Sequence, residues 1–133
     1  IPVIAKSLLE CKQGATTIDE ITIEVAESGK ANFCYSDSNN YDDVFHIGLG
    51  EVLCKSDPKM VYCGLFEQGE KIRVIVYAGD EISKEKSAGD IVKSISQILG
   101  GAGGGSPKFA QGGGTDKSKK EDAIKNAKSM IIE

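Results

Sequence analysis

A chain of 133 residues with 40% apolar and 27% charged side chains has the size and composition of one domain with a real core. No apolar run approaches the ~20 residues needed to span a bilayer, and Lys6 and Glu10 interrupt the short apolar start that a signal peptide would need, so a soluble protein is expected. The net charge of −4 argues against a general nucleic-acid binder, and a start at Ile1 rather than Met suggests a C-terminal piece of a longer chain.

In chain order, Ile4, Leu8 and Cys11 recur at helical spacing, so residues 1–19 read as the end of a preceding helix or tether. Ile21, Ile23 and Val25 alternate with polar or small residues and predict a strand, with a short return strand over 31–35 after the turn at 27–30. Residues 36–40 form a polar loop. A helix is predicted over 42–55, with Asp42 and Asp43 at its positive end and Phe45, Leu49 and Val52 as its apolar stripe. Gly48 and Gly50 cost that helix roughly 1 kcal/mol each relative to alanine, so close packing on a sheet is their expected reason.

Residues 60–66 and 71–78 flank Glu67-Gln68-Gly69-Glu70 as a hairpin, and the nearly continuous apolar second arm reads as a strand covered on both faces. Ser87 is placed to cap a helix running to about Leu99, with Ile91, Ile95 and Ile98 on one face. Ser118-Lys119-Lys120-Glu121 reads as a capping box, after which Ile124, Ala127 and Ile131 line the last helix. The order β-α-β-β-α-loop-α predicts an α+β domain: a small mixed sheet packed against helices, mainly on one face.

The four cysteines at 11, 34, 54 and 63 lack zinc-ligand spacing with the single histidine, His46. Two disulfides are conceivable, but apolar surroundings at 34, 54 and 63 favour reduced core thiols. His46 near Asp42, Asp43 and Glu51 has the elements of a general base, yet a helix-surface or partly packed histidine is the simpler reading. No catalytic constellation and no P-loop spacing is present.

Charge is uneven. Residues 1–83 carry seven basic and fourteen acidic side chains, whereas 84–133 carry nine lysines and six acids. The lysine excess surrounds residues 100–114, where eight of the sixteen glycines lie. Such density suits either a disordered linker or a shaped loop whose bare backbone approaches something closely. Pro107, Phe109 and Gln111 between two triple-glycine runs favour the shaped loop, with Gly104 expected at φ > 0.

Two glycines, a spacer, three glycines, one residue, Pro, two residues, Ala-Gln and three glycines resemble the signature of the alanyl-tRNA synthetase C-terminal domain. This is the DHH-associated domain, also found in RecJ-type phosphoesterases. The resemblance covers residues 20–133 and departs where the family usually has Arg before the Pro, here Ser106, a loss that Lys108 partly makes good. It implies a non-catalytic domain that binds the elbow of tRNA-Ala, where D- and T-loops meet, so that aminoacylation and editing centres share one tRNA. It also implies a cytoplasmic alanine–tRNA ligase parent, too large to fit in this chain, with ATP, magnesium and zinc confined to other domains and no cofactor here.

The candidate binding residues are Gly100, Gly101, Gly103, Gly104, Gly105, Ser106, Pro107, Lys108, Phe109, Gln111, Gly112, Gly113, Gly114, Lys117, Lys119 and Lys120. Phe109 either stacks on an unpaired base or plugs the core. Gln111 can read a base edge or 2′-hydroxyl. The lysines either contact phosphates or form a solvated helix start. The alternatives are a dimerisation or protein-interaction domain, a DNA binder, and the substrate-binding half of a DHH phosphoesterase. Net acidity, Ser106 and the presence of one arginine in the chain favour the first of these.

Overall fold

A computed structural model of the chain describes residues 14–18, 21–27, 32–37 and 43–131, with side chains over 33–35 and 46–131. Among the described residues seven strands form one sheet: β1 (Gly14–Ile18), β2 (Ile21–Glu27), β3 (Asn32–Asp37), β4 (Met60–Gln68), β5 (Lys71–Ala78), β6 (Ala102–Gly105) and β7 (Phe109–Gly114). Their spatial order is β1-β2-β3-β4-β5-β7-β6. Only β3 and β4 pair in parallel. A parallel pair needs a crossover, supplied by α1 (Asp43–Ser56). The other α-helices among the described residues are α2 (Ala88–Ile98) and α3 (Lys120–Ile131). The α+β mixed-sheet expectation is met.

β4 and β5 are apolar almost throughout because both their faces are covered. Val61, Cys63 and Leu65 of β4 and Ile72, Val74 and Val76 of β5 point to α2 and α3, whose Ile91, Val92, Ile95, Ile124 and Ala127 complete the main core. Burying each of the valine, leucine and isoleucine side chains contributes about 1.5–3 kcal/mol. The alternate residues Tyr62 and Tyr77 point to α1, where a Cβ on Gly50 would lie only 2.9 Å from Tyr62 and 3.0 Å from Tyr77. That contact confirms the packing reason for Gly50. The helices therefore divide between two faces, α1 on one and α2 and α3 on the other.

Three expectations about α1 and its neighbours change. Val52 is exposed, and burial follows His46, Leu49 and Leu53 instead; the Phe45 side chain lies outside the described residues. His46 is fully buried, not at the surface. Its Nδ1 lies 2.7 Å from the Tyr62 hydroxyl and its ring stacks 5.4 Å from Phe66. Strand β1 extends the sheet into the stretch assigned to the tether, while the helix expected over 2–12 lies outside the described residues. Cys34, Cys54 and Cys63 are buried free thiols, as expected. Burial pushes Cys54 up to about 12 and Cys63 higher still.

Candidate nucleic-acid interface

Glycine first serves to end α2. Gly100 takes the left-handed conformation at φ +77, its N–H donating to the Gln97 carbonyl and that of Gly101 to the Ser96 carbonyl. This pair of bonds is a Schellman motif, and glycine is the residue that adopts its left-handed position without strain. The chain then reverses into β6 and β7, which lie across α2. A Cβ on Gly103 would fall 2.5 Å from Val92 Cγ1, and one on Gly112 would fall 2.3 Å from Ser96 Oγ. Only bare backbone fits this close to the helix.

The stretch expected as a loop between two helices is thus a β-hairpin extending the sheet beyond β5. Glycine has low strand propensity, so pairing with β5 and contact with α2, not local preference, make these strands. Gly104 is correspondingly not at positive φ. A Cβ there would find nothing nearer than Lys93 Cε at 3.9 Å.

The hairpin also caps α2 at its other end. Ser87 makes no side-chain cap bond. Instead the carbonyls of Pro107 and Ser106 accept from Ala88 N–H at 2.8 Å and Gly89 N–H at 3.2 Å. These orphan donors are therefore engaged by protein. The Ser106 hydroxyl is committed to the turn, donating to the Phe109 carbonyl at 3.1 Å and accepting from Phe109 N–H at 3.2 Å. Similarly, the capping box expected at 118–121 gives way to Asp116, whose carboxylate accepts from Ser118 N–H at 3.2 Å.

Opposite α2, α1 packs on β4 and β5, and β6 and β7 carry the sheet past it. Register places Phe109 beside Tyr77, Gln111 between Ile75 and Gly104, and Gly113 between Arg73 and Ala102. Phe109 is half-buried, tilted 46° against Tyr77 at 5.0 Å between ring centroids. It neither plugs the main core nor stands free. Gln111 is half-buried in the middle of this surface.

The predicted lysines are not one cluster. Lys108, at the hairpin tip, pairs with Asp80 at 2.5 Å and holds its carboxyl below the usual range. With Glu51, Cys54 and Tyr77 they border a recess of about 190 Å³. At the far end Lys117 donates to the Gly69 carbonyl at 2.9 Å and lies 3.8 Å from Glu67. Lys119 is exposed and Lys120 half-buried at the start of α3. Sequence reading missed the contribution of β5. Its signal was the alternation of Lys71, Arg73 and Tyr77 within an otherwise apolar strand.

A family model described as the DHHA1 domain matches residues 32–133, and the chain belongs to that family. Within it, similarity runs to the C-terminal domain of alanyl-tRNA synthetases. The alanine–tRNA ligase of Nitrosopumilus maritimus is 50% identical over 103 residues, covering 77% of this chain and 11% of the ligase. That of Cenarchaeum symbiosum is 38% identical over 110 residues, covering 83% of this chain and 12% of the ligase. The chain thus spans about a tenth of the curated relatives it matches. The C-Ala domain of Aquifex aeolicus alanyl-tRNA synthetase superposes with a TM-score of 0.75 and 25% identity, over 82% of this chain and 98% of that one. A DHH-domain member of the s1p family of ribosomal proteins shares the fold, with a TM-score of 0.59 and 13% identity over 99% of this chain and 31% of its own. Among the described residues no helix is long and apolar enough to cross a membrane.

Proposed function

We propose that this domain is the non-catalytic, RNA-binding C-terminal part of an alanine–tRNA ligase acting in the cytoplasm, and that it docks the elbow of tRNA-Ala. The observation that carries the reading is the glycine-rich hairpin, pressed on α2 by one face and offering Phe109 and Gln111 among glycines on the other, with Lys108 and Lys117, each beside a carboxylate, at its two ends. A surface almost without side chains lets a bulky folded RNA approach the main chain. Phe109, supported by Tyr77, offers a ring to an unpaired base of the D- or T-loop, a contact worth about 1–3 kcal/mol. Gln111 offers both donor and acceptor to a base edge or 2′-hydroxyl. The reading assigns no cofactor to this domain and leaves ATP, magnesium and zinc to other parts of the ligase.

The test is a titration of the 133-residue chain with tRNA-Ala transcript at low and moderate salt, beside a length-matched duplex DNA. Salt-sensitive binding that prefers tRNA supports the reading, and absent or equal binding refutes it. One observation favours self-association as a second reading: β6 is the last strand of the sheet, with no neighbour on its outer side among the described residues. Such an edge is a template for pairing with another chain. Sedimentation equilibrium distinguishes this outcome from a monomer.

A further inference from the structure

Arg73 is the one arginine in the chain. Its position in β5 sets it between Phe66 of β4 and Gly113 of β7, on the face that also carries Phe109 and Gln111. It is half-buried, yet among the described residues no carboxylate or carbonyl partners its guanidinium. A half-buried guanidinium without a protein counter-charge keeps its donors open to a ligand. Such a group gains most from an incoming anion, and a guanidinium matches phosphate oxygens bidentately.

The surroundings are shaped for that anion. Arg73 and Lys71 line a concavity of about 250 Å³ whose other walls are mainly the main chain of Gly100, Gly101, Gly113 and Gly114. A Cβ on Gly113 would strike the Ile72 carbonyl at 2.3 Å, so no side chain stands beside the arginine on that strand. Two acidic groups near the site are engaged elsewhere. Asp116 is bonded to Ser118, and Glu67 faces Lys117. The last carbonyls of α2, which would repel an anion, accept from Gly100, Gly101, Thr115 and Asp116.

We propose that Arg73 and Lys71 form the main phosphate seat of the domain, holding the sugar–phosphate backbone of the bound RNA against the glycine walls. This rests on the RNA-binding reading above, and it moves the principal charge contact from the lysines of the hairpin and α3 onto β5.

The experiment measures tRNA-Ala transcript binding to the 133-residue chain from about 50 to about 200 mM salt. Variants are Arg73→Gln, Arg73→Lys, Lys71→Gln and, as a control on the exposed side of α3, Lys125→Gln. Arg73→Gln is expected to lose about ten-fold in affinity and to lower the salt slope by about one. Lys71→Gln should lower the slope similarly. Arg73→Lys should keep the slope while losing affinity several-fold, since the bidentate geometry goes but the charge stays. Lys125→Gln should match the parent. Thermal melts check folding, and the exposed Lys71 keeps the test decisive if Arg73→Gln unfolds. Parent binding with unchanged affinity and slope in the Arg73→Lys and Lys71→Gln variants overturns the seat but leaves RNA binding standing. No salt-sensitive binding by the parent overturns both.

Discussion

Gly112 and Gly104 lie on adjacent strands of one hairpin and neither has positive φ, so adding one methyl to each isolates packing from backbone strain. At Gly112 the new Cβ would sit 2.3 Å from Ser96 Oγ, 2.8 Å from Val92 Cγ1 and 2.9 Å from Gly103 Cα. Val92 is β-branched and held to one rotamer in a helix, so it cannot swing aside. Ser96 can, but it then gives up the bond it accepts from Gly113 N–H at 3.2 Å, a loss of about 1 kcal/mol. Overpacking adds about 1–3 kcal/mol, giving Gly112→Ala a cost of about 2–4 kcal/mol. Gly104→Ala meets nothing closer than 3.9 Å and should stabilise by about 0.4–1 kcal/mol through the unfolded chain. Urea denaturation with a slope of about 1–3 kcal/mol/M separates the two variants by roughly 1 M or more in midpoint. Coincident midpoints would refute the claim that α2 dictates the glycines.

Other expectations are as direct. Asp80→Asn releases Lys108 from its ion pair and should strengthen tRNA binding two- to three-fold if Lys108 reaches the RNA; unchanged affinity removes Lys108 from the interface. The Cys54 and Cys63 thiols bind their protons more tightly folded than unfolded. Stability is therefore full below the ordinary thiol value of 9.0 and is lost as pH rises towards about 12 at Cys54. The loss reaches up to about 1.4 kcal/mol per pH unit per thiol, and denaturation at pH 8 and 10 measures it. A flat profile contradicts the burial. In the native state Cys34, Cys54 and Cys63 should resist alkylation, checked by peptide mass spectrometry. Ile95→Ala, at the centre of the α2 face, should cost about 2–5 kcal/mol in the same urea assay.

Much of the fold is readable wherever side chains carry period and punctuation. The β4–β5 hairpin follows from two apolar runs around Gly69, which takes φ +62 at the turn. The α2 stripe of Ile91, Ile95 and Ile98 follows from spacing alone. The glycine segment is different, because residues without side chains have no pattern by which to declare a strand. Their pairing partner, β5, lies some thirty residues upstream, and their cover, α2, is recognisable only once both are in place. The same holds for caps. Ser87 and Ser118 fit their motifs locally, yet the bonds come from Pro107, Ser106 and Asp116. Family membership was legible in the order of glycines, Pro107 and Gln111. Arg73 was not, since only the register of β5 against β7 brings it beside that surface.

The most direct measurement is amide chemical-shift mapping of the 133-residue chain titrated with tRNA-Ala transcript. The account predicts perturbation along Lys71–Tyr77 and Ala102–Thr115, with the outer turns of α3 around Lys125 and Lys128 unchanged. Shifts confined to α3, with the hairpin silent, would contradict it.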